Sequence, residues 1–144
     1  MELLLKDIEC AAERLKPILH HTELDMSSTF SEMTGGEVYL KCENRQKTGS
    51  FKIRGASNKI AALVERGGVT SVVASSAGNH AQGVAYAAHK FGIPATIVMP
   101  ASASIAKVQA TQGYGANVIL HGDCYDDAYA RACQVCEAEG ATFL

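Results

Sequence analysis

The chain has 144 residues, of which 47% are hydrophobic and 19% charged, and a formal net charge of −2. This is enough chain to bury one ordinary core, and the composition is that of a globular protein, not a disordered one. The charge balance offers no basic footprint for nucleic acid, and no apolar run reaches the length of a membrane span.

Taken in order, the N-terminus (Met1-Glu2-Leu3-Leu4-Leu5-Lys6-Asp7) is too short in its apolar part and too acidic for a signal peptide. Residues 5–19 read as a helix with Ile8, Ala11, Ala12, Leu15 and Ile18 on one stripe, ended or kinked by Pro17. His20 and His21 fall in a loop and are read as loop residues, not ligands. A short helix is expected over 27–33, stopped by Gly35-Gly36, and an alternating strand over 37–42.

The stretch Lys47-Thr48-Gly49-Ser50-Phe51-Lys52-Ile53-Arg54-Gly55-Ala56 is the most informative. Gly49 can re-aim the chain, and Ser50 can cap a helix over 51–64. Lys52 then lies in the first turn, where the positive helix end and Arg54 disfavour its ammonium form. Drying by Phe51 and Ile53 would favour the free amine further, as a Schiff-base lysine requires. On the short motif alone, a surface lysine at a helix start stays an open reading.

Beyond Gly67-Gly68 the pattern turns regular. Strands are expected over 69–74, 94–99, 116–120 and 141–144, with helices over 81–91, 104–112 and 123–139. This alternation predicts an α/β fold: an open parallel sheet with helices on both faces. The chain stops while entering a strand, so it is expected to be part of a longer α/β protein. The loop Ser75-Ser76-Ala77-Gly78-Asn79-His80 sits at the carboxyl end of the first of these strands, where ligands bind in open α/β sheets. Its N–H groups meet a helix start and can cradle a carboxylate or phosphate. It is neither a Walker A loop nor a dinucleotide fingerprint. Taken alone, it reads as a plain strand-to-helix turn.

The five cysteines, Cys10, Cys42, Cys124, Cys133 and Cys136, are odd in number and irregular in spacing. That argues against a disulfide framework and fits a reducing, cytoplasmic compartment. Cys133 and Cys136 have CxxC spacing deep in a predicted helix, with no second ligand pair nearby, and no metal site is expected.

Together, Ser50-Phe51-Lys52-Ile53-Arg54-Gly55-Ala56 and Ser76-Ala77-Gly78-Asn79-His80-Ala81-Gln82-Gly83 resemble the threonine/serine dehydratases. These are pyridoxal-phosphate (PLP) enzymes of the tryptophan-synthase-β-like fold. The likeness continues through Ile97-Val98-Met99-Pro100, Lys107 and Tyr114-Gly115-Ala116, and more weakly through residues 40–46. The resemblance implies that Lys52 binds PLP covalently and acts as base. It implies that Phe51 packs beside the cofactor ring and that Asn79 hydrogen-bonds its 3-oxygen. Ser76, Ala77, Gly78, Asn79 and His80 would receive the substrate carboxylate. The implied chemistry is β-elimination of L-threonine or L-serine to a 2-oxo acid and ammonia, in isoleucine biosynthesis or threonine catabolism.

Residues 1–66 would then belong to a large lobe and 67–144 to a small one. The family's glycine-rich phosphate loop is not in this sequence. An amino-acid substrate and a homo-oligomer are expected, and neither nucleic acid nor membrane. Serine racemases of the fold carry a serine just before Gly-Asn-His, where this chain has Ala77. Ala77 has no proton to give, so dehydration is favoured over racemisation. A β-replacement synthase and a non-catalytic α/β module are the other readings weighed.

Overall fold

The computed structural model describes residues 2–144. Its centre is a sheet of β3 (Val72–Ser75), β4 (Ala95–Met99), β5 (Asn117–Leu120) and β6 (Thr142–Phe143). The strands are ordered β5-β4-β3-β6, and every pairing in the sheet is parallel. β3 and β4 are short apolar runs buried along their whole length, as strands covered on both faces must be.

Between the strands run α4 (Asn79–Lys90), α5 (Ile105–Gly113) and α6 (Tyr125–Glu139). One face of the sheet, through Val72, Ala74, Ile97 and Met99, packs against Ala81, Val84, Ala85 and Ala88 of α4. The other, through Val73 and Val98, meets Ala128, Ala132 and Val135 of α6. The alanines let α4 lie close to the strands. Strand β5 has a paired neighbour on one side only. Its Val118 and Ile119 are therefore half-buried, where the apolar pattern alone suggests full burial.

The N-terminal part contains α1 (Leu5–Leu15), β1 (Leu24–Met26), α2 (Ser28–Thr34), β2 (Tyr39–Lys41), a 3-10 turn (Glu43–Arg45) and α3 (Lys52–Arg66). α1 stops at Leu15, before Pro17, and residues 16–18 form a turn that still buries Ile18. The two short strands pair antiparallel, Asp25 opposite Leu40. β1 was not evident in the sequence because three residues, Leu24-Asp25-Met26, are too short a run to read as a strand. Ser27 caps α2 by accepting from the Phe30 N–H at 3.3 Å.

α1 is tied to α3 by Arg14, which donates to Glu65 at 2.8 Å and to Asn58 at 2.7 Å. Leu3, Leu5, Ile8, Leu24, Met26 and Met33 remain exposed on this part of the molecule. Cys133 is exposed, and Cys136 donates its S–H to the Ala141 carbonyl at 3.0 Å, so the pair is part of ordinary helical packing. Among the described residues, no helix is long and apolar enough to cross a membrane.

Ile60 joins α3 to the core with no exposure at all, whereas Ile105 is 74% exposed. Ile60→Ala is expected to cost about 2–5 kcal/mol in urea unfolding, and Ile105→Ala within about 0.5 kcal/mol of zero. Equal costs would show that α3 is not part of the cooperative core.

Candidate functional site

The turn that delivers Lys52 is held from both sides. Upstream, buried Gln46 accepts from the N–H of His20 at 2.9 Å and donates to the His20 carbonyl at 2.8 Å. Gly49 takes φ +70°, a conformation L side chains rarely adopt, and its N–H reaches the Gln46 carbonyl at 2.7 Å. Ser50 was expected to cap the helix. Instead Phe51 is the N-cap, no side chain caps the helix, and Ser50 lies one residue before it. The helix begins at Lys52 itself, and Ser50 Oγ accepts from the Lys52 N–H at 3.2 Å.

Downstream, Arg54 forks onto Glu43, with Nε to Oε2 and Nη2 to Oε1 both at 2.8 Å. The Thr22 hydroxyl donates to the same carboxylate at 2.5 Å. The Arg54 hydrogen bonds, the Thr22 hydroxyl and the nearby Arg54 and Lys41 charges outweigh desolvation and pull the Glu43 carboxyl down to about 2.

Lys52 is exposed, with Nζ 5.2 Å from the centroid of the Phe51 ring, itself 58% exposed. The expected drying of Lys52 by Phe51 is therefore absent, because the ring lies beside the amine with its own surface open to solvent. Ile53 is fully buried and points away into the core.

The predicted anion loop runs from the end of β3 into α4. Ser76 Oγ accepts from the Gly78 N–H at 3.3 Å, which shapes the turn. Gly78 is the N-cap of α4 and Asn79 its first residue. No side chain caps this helix, so its leading N–H groups stay free for an acceptor. Ser76, Ala77, Gly78 and His80 are half-buried, and Asn79 is exposed. Ser75, at the tip of β3, is buried with its hydroxyl unpartnered.

The fold brings the two stretches together through α3 and α4. Gly83, one turn into α4, sits directly on the start of α3: a β-carbon there would lie 3.2 Å from the Ile53 Cα and N and 3.3 Å from the Lys52 carbonyl carbon. A residue with any side chain would hold the helices apart. His80 feels the result. Burial is the main cause that holds its imidazole below the usual histidine range. A hydrogen bond to the Leu144 backbone opposes this, and the Lys52 ammonium adds to the lowering. Tyr114 donates to the Lys47 carbonyl at 3.4 Å and stacks edge-on with Tyr86, joining the lysine turn to α4 and α5. Among the described residues, no cluster of three or more His, Cys, Asp or Glu is arranged to hold a metal.

The profile of a family described as pyridoxal-phosphate dependent enzyme matches residues 15–144. This chain belongs to that family. The L-threonine ammonia-lyase of Thermotoga maritima is 58% identical over 97% of this chain and 35% of its own length. The L-threonine dehydratase catabolic TdcB of Escherichia coli strain K12 is 46% identical over 97% of this chain and 43% of its own length. Among solved structures, that of maize serine racemase superposes with a TM-score of 0.89 at 39% identity, over 96% of this chain and 42% of that one. The chain thus spans well under half the length of the relatives it matches.

The residues fit the PLP of this family in kind. A primary amine, an uncapped helix start, an exposed carboxamide and an unpartnered buried hydroxyl all lie at the carboxyl edge of β3 or beside it. Several partners of the site were assigned no structural role from the sequence: Gly83, Glu43, Thr22 and Gln46. An isolated glycine in a helical pattern was the available signal for Gly83, since it marks a close approach. Nothing local marks Thr22 or Gln46.

Two outcomes follow for this family member. Gly83→Ala should destabilise by about 1–3 kcal/mol, because the new methyl meets backbone, not a movable side chain. A neutral Gly83→Ala in urea unfolding would refute the close approach. For Glu43 the folded value, about 2, is below the free value of 4.5. Its stabilisation is therefore complete above about 4.5 and lost as pH falls towards 2, roughly 3 kcal/mol at most. Glu43→Gln should flatten the pH dependence of unfolding in that window. An unchanged slope would show that the ion pair contributes nothing.

Proposed function

We propose that the chain carries the lysine-bearing part of a lyase that converts L-threonine, and L-serine, to a 2-oxo acid and ammonia. The observation that carries this reading is the closeness of Lys52 to the 76–80 loop, fixed by Gly83. The 58% identity to an L-threonine ammonia-lyase supports the choice of reaction. PLP, when bound, supplies an electron sink for the pair left at the substrate Cα.

The residues of this chain supply the rest. Lys52 would hold the cofactor, and its free amine would take the substrate Cα proton on Nζ. The free N–H groups at the start of α4 hold the substrate carboxylate, with Ser76, Ala77, Gly78 and His80 shaping its seat. The Asn79 amide would donate to the cofactor's 3-oxygen, and the exposed Phe51 ring would pack beside the cofactor ring. Loss of the β-hydroxyl as water, then hydrolysis, gives ammonia with 2-oxobutanoate from threonine or pyruvate from serine.

We assign residues 1–66 to a larger lobe and 67–144 to a smaller one, in keeping with their separate sheets. The cysteine pattern suits a cytoplasmic setting. The exposed apolar side chains near the N-terminus suit burial against further protein, a second copy included. Likeness to a serine racemase keeps racemisation as a second reading. Ala77 argues against it, because inversion needs an acid on the face opposite Lys52.

The test is product analysis on the protein containing this chain. L-threonine should yield equal ammonia and 2-oxobutanoate, and Lys52→Ala should abolish both. Asn79→Ala should slow turnover less, by about 1–3 kcal/mol for one hydrogen bond that bound cofactor would cover. Ala77→Ser should introduce some D-serine from L-serine. Substantial D-serine from the unaltered protein would replace the lyase reading with the racemase one.

A further inference from the structure

We propose that Glu43, held by Thr22 and Arg54, is a positioning residue for Lys52: it fixes the first turn of α3 so that the amine faces the 76–80 loop. The inference rests on the assignment of Lys52 as the cofactor lysine. Arg54 is two residues past Lys52 in the same helical turn, and both of its carboxylate bonds go to one partner, Glu43. A bidentate fork fixes direction as well as distance.

Glu43 is itself held. It lies in the 3-10 turn that follows β2, with its side chain only 14% exposed. Thr22 donates to it from the segment before β1. Arg54 Nη2 also reaches the Thr22 hydroxyl at 3.3 Å, and Lys41 Nζ holds the Thr22 carbonyl. Three separate segments thus meet at one carboxylate, which Arg54 ties to the first turn of α3.

An exposed Lys52 has no carboxylate partner of its own among the described ion pairs. Its direction must come from the backbone at the start of α3, and that backbone is set by Gly83 on one side and Arg54 on the other. A glutamine at 43 can accept from one arm of the fork but cannot hold both, so the turn gains freedom while the helix beyond it stays packed by Ile60.

The experiment reads the covalent trapping of PLP at Lys52 in the full chain, by borohydride reduction at fixed times followed by peptide mapping. Glu43→Gln should slow labelling of Lys52 about tenfold, equivalent to about 1.4 kcal/mol, with the far-ultraviolet circular dichroism unchanged. Thr22→Val, which removes the buttress but no charge, should slow it less. Arg14→Ala is the control, since Arg14 anchors the far end of the same helix to α1. It should lower stability only slightly and leave the labelling rate unaltered.

Equal slowing by Arg14→Ala at matched stability would make Glu43 merely structural and overturn the proposal, as would an unchanged rate in Glu43→Gln. If Glu43→Gln does not fold, Thr22→Val decides by the same comparison. Absence of Lys52 labelling in the unaltered chain is a different failure: it would overturn the cofactor-lysine assignment.

Discussion

The contact that the site depends on is that of α4 against the first residues of α3, made possible by the missing side chain of Gly83. A β-carbon at that position would meet Ile53 and Lys52 backbone atoms at 3.2–3.3 Å. Backbone cannot rotate aside as a side chain can, so helix separation and the placing of Lys52 are one constraint. Everything else arranges the chain so that this contact occurs at the carboxyl edge of β3. The parallel order β5-β4-β3-β6 sends each following helix off that edge, and α4 starts there with its N–H groups uncapped. The result is two helix starts side by side, one bearing an amine and the other a set of free donors.

The ionic part of the structure supports this geometry from a distance. Glu43, Arg54 and Thr22 join the small antiparallel sheet to the lysine helix, while Arg14, Asn58 and Glu65 join α1 to its far side. The two groups differ in worth. Glu43 is largely shielded, so its charge acts in a poorly screened setting, whereas Glu65 is 57% exposed and its pair with Arg14 is of the kind that contributes little. The difference places the stiffness of α3 at its N-terminal end, beside Lys52.

Much of the sheet was legible in sequence because buried parallel strands are short apolar runs punctuated by glycine and proline: Gly92 and Pro94 before β4, Pro100 after it. β5 misled on burial because an edge strand carries the same residue types as a central one. β1 was hidden because three residues carry too little pattern, and it forms only by pairing with β2. The lysine turn and the 76–80 loop were recognisable because their chemistry is local: a glycine at positive φ, a serine near the helix start, a helix start without a cap. The residues that brace the lysine helix were not, since Thr22, Glu43 and Arg54 meet only after three segments fold. The drying of Lys52 failed as an expectation because the neighbouring Phe51 ring is open to solvent.

Whether the two helix starts form one cofactor site is tested most directly by backbone amide NMR of the 15.2 kDa chain during titration with PLP. The account predicts that the amides of Lys52 and Ile53 and those of Gly78, Asn79 and His80 shift together, with one common saturation curve. Their neighbours on the opposite side of the sheet, Ala128 and Ala132 of α6, should stay still. Shifts confined to one stretch, or scattered over the exposed lysines with the 76–80 loop unmoved, would contradict it.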